Sequence, residues 1–185
     1  VLIPGMALAH TGIGGPFGFA AGFAHPVSGF DHVLAMTAIG MLAVTLGGRS
    51  MVLVPLSFLA VMALGGALGW AGIAIPAVEF GIALSIVVVG CLIAFGSRIP
   101  ASLAVAAAAM FAVFHGHAHG SAMPVGAAVA GYMRGCVLAT ALLHAAGMAF
   151  GISVHRLGST YKAVGAGVVG SLIAAVGVGM LTGVI

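Results

Sequence analysis

The hydrophobic positions of this chain fall into six long runs that short turns separate. Each run holds about twenty residues, the length that an α-helix needs to cross the hydrocarbon core of a bilayer, which is about 30 Å thick. Pro26 and Pro76 begin two of the runs, where a first helical turn tolerates proline. The predicted membrane spans are residues 26–47, 51–72, 76–96, 101–119, 130–153 and 164–184.

Composition supports the same interpretation. Of the 185 residues, 63% are hydrophobic and 4% are charged, and the mean hydropathy is +1.34. A soluble domain could not cover so much apolar surface with so few charges. We therefore predict an all-α fold, a polytopic membrane protein in which residues 10–185 form a single domain, a compact bundle of six transmembrane helices in the lipid bilayer.

The first nine residues, VLIPGMALA, are typical of the end of a secretory signal peptide. They finish in the small-x-small pattern that signal peptidase recognises, although the basic region of a signal is missing. We interpret residues 1–9 as a signal-peptide remnant, after which His10 would begin the mature chain. Its amine and imidazole could together chelate a metal ion. An apolar segment with no site is the alternative.

The basic residues favour one orientation of the bundle. Loops on one side of the predicted membrane carry four of the five, and the other side has only Arg134. By the positive-inside rule, the richer side is cytoplasmic, so we expect both termini to face outward. The four residues on that side are Arg49, Arg98, Arg156 and Lys162.

The sequence argues against two classes of function, nucleic-acid binding and redox or metal chemistry at the cysteines. The basic residues stand singly and form no stripe that could follow a phosphate backbone, so we expect no nucleic acid partner. Cys91 and Cys136 lie inside apolar runs without a CxxC partner, and we interpret them as small buried packing residues.

Polar side chains concentrate in the predicted outer half of the bundle. Asp31 lies at the outer end of span one, and Glu79 lies about one turn into span three. An ionised carboxylate in hydrocarbon costs about 2.5 to 3.5 kcal/mol on insertion scales, so we expect both to face the bundle interior. The histidines of this region are His25 and His32 in span one, His115, His117 and His119 in span four, and His144 near the middle of span five.

Spacing indicates which of these side chains could meet. On a continuous first helix, His25, Gly29 and His32 share one face, and the glycine leaves space beside the imidazoles. His115 and His119 are likewise four residues apart, whereas His117 points elsewhere. Two pairs of imidazoles could therefore converge.

Asp31 lies about 100° from His32 around such a helix. It could complete a metal site from the flank, or it could accept a ring N–H from His32 and so determine which nitrogen faces the ion. A clamp on Arg134 is the structural alternative.

Imidazoles with little carboxylate and no thiolate suit Ni(II), Co(II), Cu(II) or Zn(II) better than Mg²⁺ or Ca²⁺. We expect one such ion to bind near the outer ends of spans one and four. Because a ligating imidazole must be neutral, the affinity should fall as the pH drops through about 6.5. The candidate ligands are His25, Asp31, His32, His115 and His119, with His10, Glu79 and His117 as additional candidates and His144 as a deeper station.

Two motifs resemble those of the HupE/UreJ family of nickel permeases. GFAHPVSGFDHVLAM at 22–36 matches its HPxxGxDH pattern, and FHGHAHG at 114–120 matches its FHGxAHG pattern. With HTG at 10–12, the likeness covers essentially the whole chain from His10. It implies a bacterial inner-membrane protein with a cleaved signal and six helices that takes up Ni(II), in some members Co(II), for hydrogenase or urease maturation.

The chain departs from that family at one position, because Ala122 stands where an acidic residue often follows the second motif. We predict a permease that needs no prosthetic group, with Ni(II) as the transported ion and Co(II) or Zn(II) as further candidates. An intramembrane metal-dependent enzyme, or a haem-binding electron carrier with two axial histidines, is the alternative. The chain has no P-loop, so ATP does not drive transport directly within it.

Overall fold

The structure is a computed structural model that describes residues 17–156 and 159–185. Over these ranges it is all-helical, with no β-strand, and a short 3₁₀ turn at Gly96–Arg98 follows the fourth helix. The proposed signal remnant and His10 lie outside the described residues. The helices are α1 (Phe17–Ser28), α2 (Phe30–Leu46), α3 (Ser50–Trp70), α4 (Val78–Phe95), α5 (Ala101–Ser121), α6 (Val129–His155) and α7 (Ser159–Leu181).

The helices confirm the prediction of a polytopic, all-α membrane protein. Five of them, α3 to α7, are long and apolar enough to cross a membrane, and the bent pair α1 and α2 makes a sixth if it is one span. The predicted spans two to five begin and end within two residues of α3 to α6. Large apolar side chains such as Val52, Leu56 and Leu64 are more than half exposed, as lipid-facing residues would be.

The helical geometry predicted for the first span is wrong. Helix α1 begins at Phe17, Pro26 lies inside it, and the chain bends by 81° between α1 and α2. Gly29, the residue between them, has an extended backbone. The hydroxyl of Ser28 donates a hydrogen bond to the His25 carbonyl (2.9 Å), a local bond that competes with helix continuation. His25 and His32 therefore lie on separate helices and do not share one helical face.

Helix α2 is the centre of the bundle. Met36, Ile39 and Leu42 are almost completely buried, and α2 packs against α3, α4 and α6. It runs parallel to α6, because Gly40 lies against the backbone of His144 and Gly151 lies against Val44. The first turn of α2 is thus held beside the beginning of α6.

Glycines allow α3 and α5 to approach at backbone distance. A Cβ on Gly116 would collide with the Met62 carbonyl, and one on Gly120 would collide with the carbonyl of Gly66. Such small-residue contacts are a usual means of packing helices in membranes. In α7 only part of the glycine series has this role: Gly170 contacts α4, whereas a Cβ on Gly167 would meet no atom of the described residues within 4 Å.

The bundle has two chemically different ends. At one, which we call the histidine end, α2, α4 and α6 begin and α5 finishes. The other, the arginine end, carries the exposed residues Arg49, Arg98 and Arg156. Helix α5 therefore delivers its last turn, with His119, to the same end as the first turn of α2.

Candidate metal site

Three histidines meet at the histidine end. His25 from the end of α1, His32 from the first turn of α2 and His119 from the last turn of α5 each offer a ring nitrogen, and the three nitrogens lie within 4.8 Å of one another. Nitrogens that share an ion at about 2.1 Å are at most about 4 Å apart, so a small movement of the rings would close the site. We call these residues the histidine triad.

The bend at Gly29 positions the first two members of the triad. The ring centroids of His25 and His32 are 5.7 Å apart. The ring centroid of His119 lies 5.1 Å from that of His25 and 4.9 Å from that of His32. A Cβ at Gly29 would meet the Oδ1 atom of Asp31 at 2.7 Å, so a larger residue would disturb the first turn of α2. The glycine of the first motif thus allows the chain to turn tightly beside the Asp31 carboxylate.

Asp31 orients His32 from the flank. The Nδ1–H of His32 donates to the Oδ2 atom of Asp31 at 2.8 Å, a donor role that a carboxylate acceptor requires. The Nε2 atom then carries a lone pair, and this buried atom has no hydrogen-bond partner among the described residues. Arg134 is exposed and, among the described residues, makes no ion pair with Asp31. The structure therefore does not contain the clamp between Arg134 and Asp31 that was the structural alternative.

His115 lies one turn of α5 before His119, on the side toward the arginine end, and is completely buried. The Ser85 hydroxyl donates its proton to the Ile82 carbonyl (2.6 Å), so it accepts the Nε2–H of His115 at 2.9 Å. This arrangement leaves the His115 Nδ1 lone pair unpartnered within the described ranges. The His115 ring centroid is 5.3 Å from that of His32, which makes it the next imidazole inward.

A cavity of about 410 Å³ opens beside the triad. Its lining includes His25, His32, Glu79 and His117. Glu79 is exposed, which corrects the prediction that it faces the bundle interior: it follows a loop at the end of the bundle, where water can solvate the carboxylate. His117 points away from the triad, as its spacing predicted, and donates its Nε2–H to the Ile73 carbonyl at 2.8 Å.

Comparison with known proteins decides the family. A family model described as HupE / UreJ protein matches residues 1–180. The chain belongs to the HupE/UreJ family. It is also 42% identical over 181 residues to Protein HupE of Rhizobium leguminosarum bv. viciae, an alignment that covers 98% of this chain and 93% of the relative. No solved structure matches the chain significantly.

Members of the HupE/UreJ family are accessory proteins related to nickel transport and are not enzymes. The chain is therefore an accessory membrane protein, and the alternative of an intramembrane enzyme is wrong. Ala122, where the resemblance led us to expect an acidic residue, lines the cavity together with Glu79. Glu79 is thus the carboxylate that this chain offers at the mouth of the cavity.

His144 is deeper in the HupE/UreJ bundle, in the middle of α6. Its side chain is 2% exposed and packs edge to face on Phe58, with ring centroids 5.2 Å apart. Phe58 also packs against His115, with ring centroids 5.6 Å apart. The structure therefore does not bring His144 into the triad, and Phe58 contacts both His144 and His115.

Sequence reasoning missed three residues around this site. Ser85 orients His115, Phe58 packs against both His115 and His144, and Tyr132 packs beside His25 with ring centroids 6.4 Å apart. Each lies within a long apolar run, where a serine or an aromatic residue is ordinary. The spacing along α6 could have indicated Tyr132. Positions four residues apart lie near one face of a helix, and such steps lead from Tyr132 to His144.

Proposed function

We propose that this protein is a permease that moves Ni(II) from the periplasm to the cytoplasm across the bacterial inner membrane, where the ion would serve metalloenzyme maturation. The observation that carries the proposal is the histidine triad. Three helices contribute one imidazole each at one end of a membrane bundle, and Asp31 orients one of them. Imidazoles with one carboxylate nearby suit a late divalent ion such as Ni(II), with Co(II) and Zn(II) as competitors.

The difference between the two ends of the bundle supports the proposed direction of transport. Exposed arginines mark the end opposite the triad, and the positive-inside rule assigns such an end to the cytoplasm. The triad would then face the periplasm as a capture site. From there His115, the next buried imidazole, would receive the ion, because a dehydrated divalent ion needs successive sets of ligands to cross hydrocarbon.

Uptake of radioactive nickel into proteoliposomes tests this function. We expect purified protein to admit Ni(II) well above empty liposomes, with inhibition by Co(II) and, more weakly, by Zn(II). Asp31→Asn and His32→Ala should reduce the initial rate at least tenfold, since they remove the orienting carboxylate and a triad ligand. Thr37→Val is the matched control on the same helix, because within the described ranges the Thr37 hydroxyl donates only to carbonyls of its own helix.

Wild-type protein that transports no better than empty liposomes would refute the permease proposal. Full activity in both variants would refute the role of the site, and the ion would then have to cross the bundle by another path. Thermal unfolding of each variant in detergent separates a transport defect from misfolding.

A further inference from the structure

Ser85 is a buried hydroxyl in the middle of α4, inside a run of apolar residues. Its side chain is 2% exposed, and its Oγ atom lies 2.9 Å from the Nε2 atom of His115 on α5. A serine in a membrane helix ordinarily bonds to a carbonyl of its own preceding turn, as Ser57 of α3 does to Val54. Ser85 makes that bond to Ile82 and makes the contact with a histidine in addition.

The two bonds of Ser85 fix the tautomer of His115. A hydroxyl has one proton, and the Ile82 carbonyl, at 2.6 Å, is the acceptor to which Ser85 donates it. The Ser85 oxygen then accepts from His115, so the hydrogen of the neutral imidazole lies on Nε2. The opposite tautomer would need the same hydroxyl proton and would take it from the Ile82 carbonyl. Ser85 therefore leaves the lone pair on the Nδ1 atom of His115, which has no partner among the described residues.

The same contact restricts rotation of the His115 ring. The ring is completely buried and packs against Phe58 and His32, with centroid distances of 5.6 and 5.3 Å. A half-turn of the imidazole would move Nε2 away from the Ser85 hydroxyl and bury its N–H without an acceptor, which is unfavourable. A nitrogen binds a metal ion only through a free lone pair, so the ring and its tautomer must both be held for Nδ1 to be a ligand.

His115 and His32 are held by chemically different partners. Asp31 accepts the ring N–H of His32 with a carboxylate, which makes the opposite nitrogen a stronger ligand. Ser85 accepts with a neutral hydroxyl, and such a hydrogen bond is weaker than one to an ionised group. His115 should therefore be the weaker ligand of the two. A weaker inner ligand favours onward release of the ion, as conduction through successive sites requires.

We propose that Ser85 is a positioning residue for transport, which presents the Nδ1 atom of His115 to the ion that leaves the triad. The inference rests on the proposed permease function, in which His115 receives the ion from the triad. Ser85 contacts the histidine and not the ion, so its loss should slow transfer past His115 and leave capture at the triad unchanged. The maximal rate of uptake should fall, while the half-saturating nickel concentration stays the same.

NMR of the metal-free protein tests the tautomer without transport. With nitrogen-labelled histidine, the shifts of the ring nitrogens distinguish an N–H from a lone pair, and loss of signals in His115→Gln assigns them. We expect the N–H on Nε2 in the wild type and in Ser85→Thr, which keeps the hydroxyl, but both tautomers in Ser85→Ala. Ser57→Ala is the matched control, since within the described ranges the Ser57 hydroxyl bonds only to the Val54 carbonyl. An N–H on Nδ1 in the wild type, or an unchanged tautomer in Ser85→Ala, would overturn the proposal.

Nickel uptake into proteoliposomes tests the consequence for transport. Ser85→Ala should lower the maximal rate about tenfold, as loss of a partner that orients a ligating histidine does, with little change in the half-saturating concentration. Ser85→Thr should restore most of the rate, and Ser57→Ala should not alter it; thermal unfolding in detergent shows that each variant is folded. A wild-type rate in Ser85→Ala, or an equal loss in folded Ser85→Thr, would reject the positioning role and leave the permease intact. An inactive wild type would reject the permease, and NMR would still decide whether Ser85 fixes the tautomer of His115.

Discussion

At the residue scale, Asp31 acts through His32. Its carboxylate accepts the Nδ1–H at 2.8 Å, so Nε2 is the ring nitrogen that keeps a lone pair for an ion. We predict that Asp31→Asn lowers Ni(II) affinity about 10- to 100-fold, the usual effect of losing a partner that orients a ligating histidine. Titration against a competing chelator measures it. Glu79→Gln, at the exposed rim of the same cavity, should change affinity less than about threefold, because water and salt screen that charge.

Equal losses in these two variants would mean that Asp31 contributes only long-range charge and does not control the orientation of His32. A repeat of both titrations at high salt distinguishes the two explanations. The effect of a screened rim charge fades with added salt, whereas the effect of a short, partly buried hydrogen bond persists.

At the element scale, the contact between α3 and α5 sets the position of His115 and His119. We predict that Gly116→Ala lowers the melting temperature by several degrees and weakens Ni(II) binding, because its Cβ collides with the Met62 carbonyl and pushes α5 away. Gly167→Ala on α7 is the control, since no atom in the described part of the chain lies within 4 Å of its added methyl group. It should leave stability unchanged or slightly raised, as alanine favours helix more than glycine does. Equal destabilisation by both would contradict the packing argument.

At the scale of the whole molecule, orientation decides which side the triad faces. In a variant without native thiols (Cys91→Ala, Cys136→Ala), we predict that a membrane-impermeant maleimide labels Val125→Cys in spheroplasts but Ser102→Cys only after the membrane is opened. Val125 is fully exposed in the loop at the histidine end, and Ser102 is exposed in the first turn of α5 at the opposite end. The reverse pattern would place the triad in the cytoplasm and turn the proposed uptake into efflux.

The sequence alone determined the membrane class, four of the spans to within two residues, and the residues of the two histidine motifs. Hydropathy is a local property that adds up along the chain, so the spans could be predicted without knowledge of helix packing. The class of ion stays a prediction, which rests on the preferences that imidazole and carboxylate have wherever they lie.

Only the tertiary structure decided how the candidate residues are grouped. Hydropathy passes smoothly over Gly29, so the sequence predicted one helix where the chain bends by 81°, and that bend is what places His25 beside His32 and His119. The hydrogen bond from His115 to Ser85, 30 residues away, and the contact of His144 with Phe58 likewise depend on which helices touch. Contacts between distant residues depend on helix packing at glycine surfaces, whose partners a single apolar sequence does not specify.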